Sequence, residues 1–163
     1  RAWMTGLSAP GRELIRAARR AVLATITREG RARLVPICFW MPDGTTDAFG
    51  TGGPLLVYSA LDEKPKSVAD PLQLGRVRDL LARPAVSLLI DRWDEDWRRL
   101  AWVRLDGSAR VLGPPRPGGA DAPEREAAVA GLRARYTQYR THDLAARPLI
   151  RMAVEQVTEW FAA

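Results

Sequence analysis

The sequence contains few of the side chains that most often carry catalysis or bind metals. Its 163 residues include one cysteine, Cys38, and one histidine, His142, so no internal disulfide and no cysteine–histidine zinc site can form. No apolar run approaches the roughly 20 residues that a membrane-spanning helix needs. The N-terminal residues lack the charged-then-apolar order of a secretory signal. We therefore expect a cytoplasmic protein, with residues 1–163 forming a single domain.

Lysine is also scarce, although the chain is basic. Lysine and arginine total 25 against 19 acidic residues, giving a net charge of +6, yet the only lysines are Lys64 and Lys66. The arginines are scattered and interleaved with acids, which favours a solvated surface over a nucleic-acid footprint. We expect a small anionic partner rather than nucleic acid or a membrane.

Hydrophobic periodicity predicts three helices and six strands. The predicted helices span 8–20, 67–84 and 124–139, and the predicted strands span 21–27, 31–40, 55–60, 85–91, 98–112 and 149–157. In the second helix, Leu74, Val77 and Leu81 recur at helical spacing. Because the strands come as hairpins and long alternating segments, the pattern favours a mostly β, α+β fold. We predict a six-stranded antiparallel barrel with peripheral helices rather than a doubly wound parallel sheet.

No motif in the chain supplies a complete catalytic or metal site. His142 lies in a predicted loop, where a surface position is the commoner alternative to a functional one, and Cys38 is predicted to be a buried strand residue. The glycine-rich run 50–53 lacks the Lys-Ser/Thr of a phosphate-binding loop, and the acidic run 91–97 is interpreted as a polar turn in preference to a metal or acid–base site. We assign no catalytic residue and no metal ligand, so the protein either binds a ligand or uses the chemistry of an organic cofactor.

The segment LDEKPKS, residues 61–67, holds both lysines just before a predicted helix. Two ammonium groups near a helix N-terminus are suited to binding a phosphate, and Pro65 would stiffen the segment. The alternative is a solvated turn in which Asp62 and Glu63 neutralise the lysines. The spacing alone leaves both interpretations open.

Several longer segments resemble one known superfamily. The segments VLATITREGRARLVPICF, LVYSALDEKPKS, LLARPAVSLLIDRWDEDWRRLAWVRLDGSARV and LRARYTQYR occur in this order along the chain. They are similar to the pyridoxamine 5′-phosphate oxidase-like split β-barrel superfamily, and most of all to its actinobacterial group of F-420 (deazaflavin)-dependent oxidoreductases. The resemblance covers about residues 20–160.

This resemblance implies a homodimer with cofactor sites at the subunit interface. It implies that coenzyme F-420 is the cofactor, with FMN as the alternative, and it supplies the candidate cofactor-binding residues. These are Arg33, Val35, Pro36 and Ile37 along the ring; Tyr58, Ser59 and Ala60 beside the tail; Lys64 and Lys66 at the phosphate; and Trp97, Trp102 and Arg104 at the opposing wall or dimer contact.

The expected function is hydride transfer from reduced deazaflavin to a small unsaturated or nitro-type acceptor, with water or a tyrosine as the proton source. Two alternatives are open. One is an FMN-binding oxidoreductase of the same superfamily, and the other is a carrier that binds a flavin-like or haem-like ligand without turnover.

Overall fold

The strands and helices follow the predicted order, and the computed structural model describes residues 6–43, 54–61, 70–114 and 116–162. The helices are α1 (Ala9–Ala17), α2 (Gly75–Ala82) and α3 (Ala122–Arg135), and the strands are β1 (Ala21–Ile26), β2 (Ala32–Ile37), β3 (Leu56–Ala60), β4 (Ala85–Arg92), β5 (Ala101–Leu112) and β6 (Leu149–Phe161). Short 3₁₀ turns at Pro71–Gln73, Trp97–Arg99 and Thr137–Arg140 precede or follow these elements.

The described strands form one antiparallel sheet in the order β2-β1-β4-β5-β6-β3. An additional bridge joins Trp40, just beyond β2, to Tyr58 in β3, so the two edges of the sheet meet. The sheet is thereby curled into a barrel that is closed at one point, which confirms the predicted α+β split barrel.

Two residues position the first elements of the fold. The Oγ of Ser8 accepts a hydrogen bond from the Gly11 N–H at 3.0 Å and caps α1. Gly30 has a φ of 81° in the turn between β1 and β2, a conformation that glycine adopts without steric cost. These two residues fix where the first helix and the first hairpin begin and turn.

Apolar side chains form two clusters on opposite sides of the sheet. The larger one fills the barrel with alternate residues of β1, β4, β5 and β6, and it is sealed by Leu14 and Ile15 of α1 and by Val77 and Leu80 of α2. The smaller one packs α3 against the outer side of β3 and the ends of β5 and β6. The two helices that follow β3 and β5 therefore lie in different environments.

Several predicted boundaries were wrong: α1 ends at Ala17 and not at residue 20, β2 ends at Ile37 and not at residue 40, and β5 begins at Ala101 and not at residue 98. The helix predicted over 67–84 begins only at Gly75, because Leu74 has extended backbone with ψ 137° between the 3₁₀ turn and α2. In α2 the buried apolar residues are Val77 and Leu80. Leu81, which the helical spacing places on the apolar side, is instead 62 % exposed. The helix predicted over 124–139 ends at Arg135, since Tyr136 is extended, and β6 continues to Phe161 because it pairs with β5 along its length.

Candidate functional site

Arg33 on edge strand β2 is the sequence-predicted site residue with the most specific surroundings. Its Nε donates to Oδ2 of Asp79 in α2 at 2.7 Å, and its side chain is 41 % exposed whereas that of Asp79 is 7 % exposed. In the register of the hairpin, Arg33 lies opposite Thr25 and on the same side of the sheet. The guanidinium therefore leans from the sheet edge onto α2.

A basic cleft of about 410 Å³ lies beside this contact. It is bounded by the end of β1, the following turn, Arg33 and one side of α2, and its charged lining residues are Arg28, Glu29, Arg33, Arg78, Asp79 and Arg83. Four arginines against two acids leave a net positive charge. A cleft with this lining is suited to an anionic group such as a phosphate.

Asp79 is held as a carboxylate inside this basic environment. Burial by itself raises its pKa, but the hydrogen bonds from Arg33 and from the Thr25 hydroxyl outweigh burial, and the pKa of Asp79 lies below its ordinary value. Both donors bind Oδ2, so this oxygen is held by two hydrogen bonds and is a poor general base.

The other β2 candidates divide between the two faces of the strand. Val35 and Ile37 share the inner side with Arg33, whereas Pro36 points to the outer side. Only one side of β2 has a strand neighbour among the described residues, since β2 is a sheet edge. The opposite row of backbone N–H and C=O groups can therefore hydrogen-bond the polar edge of a planar ligand.

The β3 candidates lie beneath α3 rather than along an open surface. Tyr58 and Ala60 are 3 % and 4 % exposed and belong to the smaller apolar cluster. Ser59 is 5 % exposed and donates to the Cys38 carbonyl oxygen at 2.8 Å. Within one chain these three side chains contact the protein interior. Lys64 and Lys66 lie outside the described residues.

The β5 candidates lie on the outer face of the sheet, away from the Arg33 cleft. Arg104 lies in a cross-strand row with Leu89, Val22 and Pro36, so three strand spacings, about 14 Å in total, separate it from Pro36. Its Nε donates to Asp106 at 2.9 Å. Trp102 pairs with Trp160 across β5 and β6. Trp97, 71 % exposed, lies at the tip of the β4–β5 hairpin.

The outer face of β2 and β1 is apolar and open, and it extends to Leu89 on β4. Leu34, Ile26 and Leu89 are 65 %, 37 % and 38 % exposed, and Val22 and Pro36 lie in the same cross-strand row as Leu89. Polar side chains enter this face on β4, where Ser87 and Asp91 flank Leu89. An apolar sheet face of this kind is typical of a surface that packs against another molecule.

The chain's three tyrosines and its histidine offer little acid–base chemistry. Tyr58, Tyr136 and Tyr139 are all at most 5 % exposed. Burial, followed by the hydrogen bond to Glu124, raises the pKa of Tyr58 to about 12. The Nδ1 atom of His142 is buried and has no hydrogen-bond partner among the described residues. Cys38, predicted to be a buried strand residue, is only half-buried and lies just beyond β2.

Sequence reasoning did not find Asp79, Gly75 and Arg78 as site residues. The signal available was an acid in a helix rich in arginine, four residues after a glycine and therefore on the same helix side. Without the fold, nothing connects that side to β2. The acidic run 91–97 does form a polar turn, in which Asp94 Oδ1 accepts from the Asp96 N–H.

The described helices include none that is both long and apolar enough to cross a bilayer. The chain's fold and its similarity to known proteins define its class. The profile of the pyridoxamine 5′-phosphate oxidase family matches residues 9–161, and the chain belongs to this family. No curated protein sequence matches it.

Solved structures with low sequence identity share the fold. A conserved hypothetical protein from Mycobacterium tuberculosis is 15% identical with a TM-score of 0.67, covering 99% of this chain and 90% of that one. A FAD-binding protein from Mesorhizobium loti is 22% identical with a TM-score of 0.60, covering 94% of each. The haem storage protein HutZ from Vibrio cholerae is 15% identical with a TM-score of 0.62, covering 96% of each. At these identities the likeness establishes the fold alone.

Proposed function

We propose that this protein is an oxidoreductase that binds a flavin-type cofactor, reduced coenzyme F-420 in the first place and FMN as the alternative, and transfers hydride to a small organic acceptor. The observation that carries the proposal is the basic cleft at Arg33, located at the free edge of β2 in a chain of this family. The cofactor, when bound, supplies the hydride; the protein binds and orients it.

The cleft fits the phosphate-bearing tail of such a cofactor. Arg33 has one N–H engaged by Asp79, and its exposed side faces the cleft together with Arg28, Arg78 and Arg83. Arginine donors bind phosphate oxygens through charge-assisted hydrogen bonds. Lys64 and Lys66 precede α2 in the sequence, and we propose that they add two further cations to the same tail.

The edge of β2 fits the ring of the cofactor. Val35 and Ile37 offer half-buried apolar contacts, and the backbone groups along the free edge can hydrogen-bond the ring's polar rim. Pro36 has no backbone N–H, so the free edge lacks a donor at this residue. The polar atoms of the ring would therefore hydrogen-bond to backbone groups of the residues beside Pro36. This arrangement orients the ring along the strand.

A second copy of the chain is proposed to cover the outer face around Leu34 and to complete the site. The face is apolar on β2, on β1 and at Leu89 of β4. It is bordered by Arg104 and Trp102, the two candidates that lie far from the cleft in a single chain. Packing two such faces together removes apolar surface from water and places these β5 side chains beside a β2 strand. Replacement of Leu34 by glutamate should convert the homodimer to a monomer in light scattering.

The proton for the reduced acceptor is proposed to come from water. All three tyrosines are buried, and the pKa of Tyr58, raised to about 12 by burial and by Glu124, makes it a poor proton donor at neutral pH. Asp79 is already engaged by two donors. The protein's own part is therefore binding and orientation.

A binding experiment with matched variants tests the proposal. The affinities of F-420 and FMN are measured by fluorescence for the wild type, for Arg33→Met, for the double variant Lys64→Ala/Lys66→Ala, and for the control Arg98→Ala, whose exposed arginine lies on the distant hairpin tip. We expect F-420 to bind more tightly than FMN, about tenfold loss in both test variants, and no change in the control. Equal affinity in all four proteins would contradict the proposal.

A carrier without turnover is the second candidate. It is favoured by the lining of the cleft, in which Arg33 and Thr25 hold the Asp79 carboxylate and no histidine or tyrosine occurs among the described residues. Enzymatically reduced F-420 bound to the protein, mixed with a nitro-type or unsaturated acceptor, separates the two. Reoxidation faster than in free solution supports the oxidoreductase, and an unchanged rate supports the carrier.

A further inference from the structure

Three residues outside β2 hold the Arg33 side chain in one orientation. Oδ2 of Asp79 accepts from Arg33 Nε at 2.7 Å and from Thr25 Oγ1 at 2.8 Å. Thr25 is 1 % exposed and Asp79 is 7 % exposed, so both lie within packed structure. The carboxylate is therefore fixed from the barrel side, and it contacts Arg33 through the nitrogen nearest the side-chain stem.

Gly75 fixes the guanidinium from the other direction. A Cβ at this position would lie 2.6 Å from Arg33 Cζ and 2.7 Å from Nη1, closer than real Cβ atoms approach other groups. The guanidinium thus rests against the bare backbone of the first residue of α2. Any side chain here would push it out of place.

The arrangement differs from an ordinary buried ion pair in its asymmetry. Asp79 is almost inaccessible, whereas the Arg33 side chain remains 41 % exposed and faces the basic cleft. Burying a carboxylate in this way is not an efficient means of stabilising a fold, since apolar residues of similar volume usually serve as well or better. What the arrangement does achieve is a cation whose stem is fixed and whose outer N–H groups are directed at solvent.

We propose that Asp79 is a positioning residue, supported by Thr25 and accommodated by Gly75, which aims Arg33 at the phosphate group of the ligand. This inference rests on the proposed function, because it takes the cleft as the phosphate end of the cofactor site. The ligand chemistry is a phosphate monoester or diester. Holding the guanidinium in its bound orientation lowers the entropy that binding has to remove, which is how preorganised sites gain affinity.

The test compares Asp79→Asn with Asp79→Ala. Arg33 Nε and Thr25 Oγ1 both donate to one oxygen, Oδ2, so an asparagine whose carbonyl oxygen takes that position accepts from both. Arg33 then keeps its orientation while a negative charge is removed from the cleft. Alanine removes both contacts and releases Arg33. We expect Asp79→Ala to weaken FMN binding about tenfold, and Asp79→Asn to bind FMN as tightly as the wild type or several-fold more tightly.

Gly75→Ala provides a second variant that leaves Asp79 and all charges in place. Alanine favours the helix over glycine, so α2 should not be weakened, but the new Cβ displaces the guanidinium. We expect FMN affinity to fall about three- to tenfold, while the midpoint of urea unfolding stays the same or rises. Gly113→Ala is the matched control, because a Cβ at Gly113 meets no atom within 4 Å.

The outcomes separate this inference from the proposed function. Phosphate binding is measured independently by ³¹P NMR with inorganic phosphate, at urea-free conditions in which circular dichroism shows each variant folded. The inference is overturned if the alanine and asparagine variants at position 79 lose equal affinity, or if Gly75→Ala binds like the wild type. If the expected split holds for phosphate but F-420 and FMN do not bind, the proposed function fails and the positioning role stands.

Discussion

Arginines on the α3 side of the molecule and on the α2 side are used in different ways. Arg125 in α3 is 4 % exposed and donates to the carbonyl oxygens of Leu112, Gly113, Ala145 and Arg147 at 2.6–3.2 Å. Arg33, beside α2, is bound by one carboxylate and faces an open cleft. The first guanidinium holds two loops together, and the second is available to a ligand.

Arg135 repeats the structural use at the other end of α3. It donates to the carbonyl oxygens of Ile15, Arg16 and Ala18, which are the unsatisfied groups at the C-terminus of α1, and its guanidinium lies 4.7 Å from the centre of the Phe39 ring. The lesson is that the net charge of +6 does not measure ligand-binding capacity. An arginine saturated by backbone oxygens is part of the fold, whereas one with exposed N–H groups is part of a site.

The largest effect on stability should come from Arg125. Replacement by methionine keeps much of the volume but leaves four carbonyl oxygens short of a donor in a buried place. We expect the free energy of unfolding to fall by about 3–5 kcal/mol in urea titrations. Arg98→Ala, at an exposed arginine, should change it by less than about 0.5 kcal/mol. A loss below about 1 kcal/mol for Arg125→Met would remove the distinction between the two regions.

Two of the helical glycines that give space to a side chain come next. A Cβ at Gly131 of α3 would collide with the Trp40 ring, which is packed against the smaller cluster, so Gly131→Ala should lose about 1–3 kcal/mol despite alanine's better helix propensity. Gly75→Ala meets only a half-exposed arginine and should change stability by less than about 1 kcal/mol. Urea unfolding of both variants makes the comparison, and equal losses would contradict it.

Glu124 should govern part of the acid sensitivity. Burial raises its pKa, but hydrogen bonds from Tyr58 and Arg151 and the charges of Arg151 and Arg110 outweigh burial, so the pKa lies below the ordinary 4.5. The stabilisation is therefore complete above about pH 4.5 and is lost as the pH falls through the folded-state pKa. Glu124→Gln should cost about 1.5 kcal/mol at pH 7 and show a shallower fall in urea midpoint between pH 5 and pH 3.

The pH dependence of stability that remains in Glu124→Gln reports on the other acidic groups, including Asp79 of α2. The pKa of Asp79 is also lowered, so its contribution is likewise lost as the pH falls. Adding Asp79→Asn to Glu124→Gln should make the fall in urea midpoint between pH 5 and pH 3 shallower still. If the urea midpoint of Glu124→Gln falls with pH as steeply as that of the wild type, the ion pairs of Glu124 contribute nothing to stability.

The smallest effect should be that of the Tyr58 hydroxyl. Its Oη donates to Glu124 Oε1 at 2.6 Å, while Arg151 continues to bind the same oxygen. Tyr58→Phe should therefore lose only about 1 kcal/mol of stability, because the acceptor keeps a charged partner. A loss as large as that of Arg125→Met would show that the Tyr58 hydroxyl, and not Arg151, holds α3 to the sheet through Glu124.

Strand identity could be predicted from the sequence because alternation reports burial directly. The pattern of β5 places Val103 and Leu105 inside and Arg104 outside, as observed. The helix boundaries could be predicted less well from the sequence. Aspartate followed by proline, as at Asp70 and Pro71, is a helix-start signal. Asp70 does cap the following turn by accepting from the Leu72 N–H, but that turn is 3₁₀ and ends at Leu74. Local signals do not distinguish one turn of 3₁₀ helix from the beginning of an α-helix.

The candidate site could be predicted only in part, because its central contact is between elements far apart in the chain. Arg33 was found through resemblance, but its partner is 46 residues away and on a helix. Likewise Tyr136 ends α3 because its hydroxyl reaches the backbone of Phe39, 97 residues away. Interactions of this range leave no periodic trace in the sequence.

The bridge between Trp40 and Tyr58 closes the barrel through backbone atoms. Two backbone hydrogen bonds, at 2.9 and 2.8 Å, hold the positions where the chain leaves one edge of the barrel and joins the other. The closure is therefore made by main-chain atoms, and it does not depend on which side chains occupy these two positions.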